Sequence, residues 1–133
     1  MDNIIDRKKL FKTLAYFTFL LFVASYLALK FYWYYSIWWS DMPMHFLGGF
    51  CVGLFLIWLL SYKNSSLEIN LKLICRIFLG VLIIGILWEL YEILFYNILA
   101  QNPFNILDIT HDIFFDLSGG LCAILYLWKK LPK

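Results

Sequence analysis

Long apolar runs alternate with short polar breaks along this chain. Residues 1–12 are polar and basic, and 11–30 are then apolar apart from Lys12, two threonines, Ser25, tyrosines and the terminal Lys30. Further apolar runs cover about 43–62, 71–97 and 112–130. About 20 residues rising about 1.5 Å each cross a hydrocarbon core roughly 30 Å thick. The pattern therefore predicts an all-α integral membrane protein with four transmembrane helices over those four runs. The first is too long for the apolar centre of a cleaved signal peptide and lacks a small-residue exit. It leaves through Phe31-Tyr32-Trp33-Tyr34-Tyr35, an interfacial aromatic belt. The breaks read as a loop over 37–44, a polar turn over 63–70 and a connection over 100–111. A short interfacial helix after Pro103 is expected within that last connection.

Composition agrees with this reading. Hydrophobic residues make up 63% of the 133-residue chain, against about 45–50% in a soluble domain. One membrane domain over 1–133 uses the whole length and leaves no room for a separate soluble one. Cys51, Cys75 and Cys122 lie singly inside apolar runs, without the paired spacing of a metal or redox motif, and read as small buried hydrophobes. Walker, dinucleotide-binding, zincin and GxSxG patterns are absent. No basic patch faces an aqueous domain, which argues against nucleic acid as a partner.

Placing the charges along the chain adds an orientation. Arg7, Lys8, Lys9 and Lys12 lie in the leader, Lys63, Lys72 and Arg76 about the second break, and Lys129, Lys130 and Lys133 in the tail. In a four-helix topology these ten of the eleven basic residues fall on one side, and only Lys30 on the other. The positive-inside rule then puts both termini in the cytoplasm. The acids do the opposite: Asp41, Glu89, Glu92, Asp108, Asp112 and Asp116 all belong to the outer half, with His45 and His111.

Helical spacing gathers these polar groups onto faces. Asp41 and His45 are four apart, with Gly49 and Gly53 deeper on the same face. Gly85, Glu89, Glu92 and Tyr96 share a face of the third helix. Asp112, Asp116 and Gly120 share one on the fourth, extended by Asp108 and His111 if that helix starts early. Each helix thus carries a titratable group near its outer end and a glycine one turn deeper. Small residues let membrane helices approach closely, so Gly49, Gly53, Gly85 and Gly120 are expected to pack the helices beneath an outward-facing pocket.

Blander readings exist for each group alone. Asp41 serves as an N-cap before Pro43, and Thr110 as one for the fourth helix. Asp108 and Asp112 are solvated loop acids, and His45 bonds a backbone carbonyl at the interface. Glu89 and Asp116 are protonated and bond across helices. Together, however, several carboxylates in a low-dielectric pocket need protons, a metal or a cationic ligand. An acid at the centre of a spanning helix costs about 2.5–3.5 kcal/mol even on lenient scales, which makes Glu89 the residue most in need of a partner. The metal reading takes His45, Glu89, Asp112 and Asp116 as ligands. His45, Glu89 and Glu92 are its catalytic candidates, with Asp41, Asp108, His111 and Tyr96 around them. Carboxylate with imidazole suits zinc, manganese or iron; carboxylate alone suits magnesium or calcium.

Asp41-x-x-x-His45-Phe46, Trp88-Glu89-x-x-Glu92, and Asp108, Asp112 and Asp116 before Ser118-Gly119-Gly120 form a pattern that resembles the VanZ-like family of small bacterial membrane proteins and the YjdF-like proteins. The resemblance matches the VanZ-like Asp and His to Asp41 and His45, its glutamate to Glu89, and its later aspartate to Asp112 or Asp116. Glu92 stands where that family often has Gln, Asp116 stands nearest its Asn, and its loop arginine is missing, which brings the chain closer to the YjdF-like pattern. The resemblance implies the bacterial cytoplasmic (inner) membrane, a link to the cell envelope and a role in glycopeptide resistance.

Three readings of function remain open at this point. One is a metal-assisted enzyme acting on a lipid-linked envelope intermediate, with His45 or Glu89 as general base. Another is a cation- or proton-coupled transporter or binding protein, with Gly49-x-x-x-Gly53 supporting a homo-oligomer. The last is a structural accessory subunit whose pocket is a polar latch. In all three the surrounding partners are membrane lipids.

Overall fold

The structure, a computed structural model, describes residues 6–63, 67–95 and 105–130. It is all-helical over these residues, in the order α1 (Arg7–Lys30), α2 (Trp33–Ser36), α3 (Asp41–Lys63), α4 (Leu71–Glu92) and α5 (Ile106–Lys130). Three helices are long and apolar enough to cross a membrane: α1, α3, and α4 with its continuation to Phe95. The 25-residue α5 has the length, but its first half carries Asp108, Asp112 and Asp116.

Local chemistry sets the helix starts. The Asp6 side chain accepts from the Lys9 amide at 3.0 Å, so the basic leader is helical from Arg7 onward. Asn70 accepts from Leu73 N at 2.9 Å and caps α4. Asn105 accepts from Leu107 N at 3.1 Å, so α5 starts at Ile106, a turn and a half before position 112. Thr110 is therefore no cap: it sits inside α5 and its hydroxyl donates to the Ile106 carbonyl at 2.8 Å. Pro43 lies in the first turn of α3, where a missing N–H costs nothing. Between α1 and α3, Tyr32 turns the chain with φ 57°, and the Ser40 hydroxyl donates to the Trp33 carbonyl at 3.0 Å. The belt expected over 31–35 thus includes a single helical turn. Of the connection expected over 100–111, residues 105–111 are described and run into α5 from Ile106, so no separate interfacial helix forms there; 100–104, like Tyr96 and Asn97, lie outside the described residues.

The core lies between α3, α4 and α5. Each presents a buried stripe at a spacing of four: His45, Gly49, Gly53, Ile57 and Ser61 on α3; Leu73, Ile77, Val81, Gly85 and Glu89 on α4; Asp112, Asp116, Gly120 and Ile124 on α5. Four-residue ridges on all three helices interdigitate. In register, the stripes put every polar member but Ser61 at one end and the apolar members toward the other. α3 and α5 meet most closely. A Cβ on Gly49 would strike the Asp116 backbone, one on Gly119 the Phe46 carbonyl, and one on Gly53 would lie 2.7 Å from Ala123 Cβ. α4 closes the third side, with Val81 against Gly120. α1 is peripheral. It buries only Leu10, Leu14 and Ala28, stacks Phe17 edge-on against Phe50 at 4.9 Å, and reaches α5 where Thr13 and Tyr126 hydroxyls meet at 3.1 Å.

Candidate functional site

At the polar end of the three stripes, His45 stands in a ring of carboxylates. Its Nε2 lies 3.7 Å from Asp41 Oδ2, 3.9 Å from Asp112 Oδ1 and 4.0 Å from Glu89 Oε1. Its Nδ1 lies 3.4 Å from Asp116 Oδ1. The helices deliver these atoms by register alone. Asp41 is one turn before His45 on α3, Asp112 and Asp116 are one turn apart on α5, and Glu89 ends the α4 stripe. His45, Glu89, Asp112 and Asp116 are 5%, 5%, 3% and 6% exposed. Asp41 keeps a third of its side chain exposed and marks the mouth.

The three Nε2 separations exceed the 2.7–3.2 Å expected of N–H···O hydrogen bonds. They fall at the upper end of the spacing, roughly 3–4 Å, of donors that each stand about 2.0–2.2 Å from a common cation, whereas the Nδ1–Asp116 contact comes nearest to hydrogen-bonding distance. Glu89 Oε1 is buried without any hydrogen-bond partner, a state that costs about 1–3 kcal/mol, more for a charged group. Donor atoms of Asp41, His45 and Asp112, and again of His45, Glu89 and Glu92, lie within 4.8 Å of one another. Imidazole with carboxylates is a donor set that fits a divalent metal. Among the described residues no lysine or arginine pairs with these carboxylates, and Lys30 instead lies over the Phe31 ring, 5.8 Å from its centre.

The expected residues divide three ways. His45, Glu89, Asp112, Asp116 and Asp41 converge. Glu92 sits half-buried at the rim, where Trp88 Nε1 donates to its Oε1 at 3.2 Å. Just beyond it, Ile93–Phe95 continue as a π-helical turn. Asp108 and His111 are exposed: Asp108 is one turn further out on the Asp112 face, and His111 is turned about 100° off it. Tyr96 lies outside the described residues. Of the packing glycines, Gly49, Gly53, Gly85 and Gly120 all sit at helix contacts, and Gly119, which spacing did not single out for packing, makes one of the closest. The Trp88 contact was also missed, although Trp88 is four residues before Glu92 and so on its face. Cys51, Cys75 and Cys122 are free.

Beside this ring runs an apolar groove between α3 and α5, lined by Trp39, Met42, Pro43, Phe46, Leu47 and Phe115. Met42, Phe46 and Phe115 are chain neighbours of Asp41, His45 and Asp116, so groove and ring share a wall.

Neither a curated protein nor a solved structure matches the chain. A family model described as a predicted membrane protein matches residues 4–133. With nearly the whole chain matched and three of its helices able to cross a bilayer, this is a membrane protein that belongs to the DUF2238 family.

Proposed function

We propose that the pocket binds a divalent cation and uses it to act on a lipid-linked intermediate of the bacterial cell envelope. In this reading α1, α3, α4 and α5 all cross the cytoplasmic membrane, both termini lie in the cytoplasm, and the pocket opens outward. The orientation rests on ten of the eleven basic residues falling on one side of that topology. The observation that carries the metal reading is the ring itself. Three carboxylate oxygens from three helices surround His45 Nε2 at 3.7–4.0 Å, and one of them, Glu89 Oε1, has no donor. Such a group of buried charges is stable only when something positive compensates it.

The cation would supply Lewis acidity and lower the cost of generating a nucleophile at neutral pH. His45, Glu89, Asp112 and Asp41 would hold it, and Glu92, half-exposed and steadied by Trp88, is placed at the rim to move a proton. A cation also resolves an electrostatic difficulty, because a bare acidic pocket repels phosphate. The groove beside the ring suits the apolar tail of a lipid, and the VanZ-like pattern of Asp41, His45, Glu89 and either Asp112 or Asp116 supports an envelope role. The deciding measurement is metal content of the detergent-purified protein by mass spectrometry, beside folded Glu89→Gln and Asp112→Asn variants. Stoichiometric metal, lost in both variants, is expected. A wild-type protein that stays metal-free after incubation with zinc, manganese, magnesium and calcium would refute the reading.

A further inference from the structure

We infer that Asp116 is a positioning residue and not a metal donor: it holds the Nδ1 edge of His45, turns Nε2 to the cation as the single nitrogen donor, and tunes the site to a transition-metal dication such as zinc or manganese over magnesium or calcium. This rests on the metal reading above and deepens it. The two nitrogens of His45 face different company. Nε2 looks at Asp41, Glu89 and Asp112, whereas Nδ1 looks only at Asp116, in the shortest of the four contacts at 3.4 Å. A carboxylate on one nitrogen keeps the proton there, leaves the lone pair on the other and raises its donor strength.

Glycines fix Asp116 on that side. Its backbone is clasped by Gly49. Its Oδ1 lies 4.0 Å from where a Gly48 Cβ would stand, and its Oδ2 lies 2.6 Å from where a Gly85 Cβ would stand. The carboxylate therefore occupies a slot cut into α4 by the missing side chain of Gly85, and it is 6% exposed. Swinging to the Nε2 face would take it out of the slot and across the imidazole ring. Asp112, one turn earlier on the same stripe, already occupies that face. Gly85 thus does more than bring α4 close, because it leaves room for the group that orients His45. Hard cations gain little from an imidazole donor, whereas zinc and manganese accept imidazole beside carboxylate.

The test is nitrogen-15 NMR of histidine-labelled wild-type protein in detergent, loaded with zinc or with cadmium-113 as its magnetic stand-in. Metal coupling to Nε2 with the proton on Nδ1 is expected. Metal on Nδ1 would overturn the assignment of Asp116 while leaving the metal site standing, and no metal at all would overturn both. Affinity measurements give a separate check. Asp116→Asn, whose amide oxygen still accepts from Nδ1–H, should keep stoichiometric zinc with affinity weakened about 10–100-fold. Gly85→Ala, which alters no donor, should weaken zinc in the same direction. Complete loss of zinc in a folded Asp116→Asn protein, equal to that in Glu89→Gln, would make Asp116 a ligand and refute the inference. So would zinc displaced by equimolar magnesium or calcium.

Discussion

Two glycines meet similarly short approaches and should respond oppositely to alanine. At Gly80 an added Cβ would lie 2.5 Å from Leu56 Cδ1, the end of a flexible, half-exposed side chain. At Gly53 it would lie 2.7 Å from Ala123 Cβ and 3.3 Å from Gly120 Cα, neither of which has a rotamer to change. Carbon atoms pack best about 3.5–4.0 Å apart, so Gly53→Ala must push α3 and α5 apart by about 1 Å. Overpacking of this kind costs about 1–3 kcal/mol, while either alanine gains about 1 kcal/mol of helix propensity. Gly80→Ala should therefore be neutral or slightly stabilising. Gly53→Ala should be destabilising by about 1–2 kcal/mol or more, because parting these helices also loosens the Gly49 and Gly119 contacts. Removing the opposing methyl tests the cause: in the Gly53→Ala/Ala123→Gly double variant, a coupling of about 1–2 kcal/mol should restore part of the loss. Gly120 Cα still opposes position 53, so the restoration is incomplete. The assay is reversible unfolding in mixed micelles followed by tryptophan fluorescence. Equal stability of the two single variants, or no coupling in the cycle, would refute the close approach of α3 and α5.

Further expectations concern separate parts of the molecule. Thr13→Val and Tyr126→Phe each remove the hydroxyl contact between α1 and α5 and should cost no more than about 1 kcal/mol, coupled by about 0.6 kcal/mol in a double-mutant cycle; a cost several times larger would mean that α1 is not peripheral. Ile57→Ala, at a position with no exposure, should destabilise by about 2–5 kcal/mol in the same unfolding assay. Trp88→Phe removes the indole donor to Glu92 near the surface and should change stability by under about 1 kcal/mol. On the proposed reading, in which His45, Glu89, Asp112 and Asp41 hold the cation and Glu92 moves a proton, the Trp88→Phe protein should retain stoichiometric metal by mass spectrometry. For topology, a fluorescent reporter fused after Lys133 should be bright in cells and an alkaline phosphatase fusion at the same point inactive; the reverse pattern would place the tail outside.

The faces were legible in the sequence because a helix converts spacing into direction. His45 with Gly49 and Gly53, Gly85 with Glu89, and Asp112 with Asp116 and Gly120 could be read as three stripes before any packing was known. Helix ends were less legible, since Asn105 and Thr110 are both competent caps. Asn105 takes the Leu107 amide, and Thr110 folds back on its own helix instead. That early start puts Asp108 on the face of Asp112, yet a turn too far out to be covered. His111 immediately precedes Asp112 and so points about 100° away from it. Gly119 escaped notice because the stripe runs through Gly120. Only the nearness of α3, which presses the Phe46 carbonyl toward position 119, requires both glycines of the pair. Which ring nitrogen of His45 meets which carboxylate is a matter of three-dimensional approach, and no spacing rule encodes it.

The apolar floor of the bundle has a consequence for traffic. Leu54, Ile57, Ile77 and Ala123 have no exposure and Val81 has 1%, and they fill the space directly below the glycines. Among the described residues, no acid or histidine lies in this floor to continue the line from Glu89 and Asp116. On the proposed metal reading, such a floor makes the pocket a cul-de-sac: what enters past Asp41 leaves by the same door, and its contents equilibrate with one compartment only.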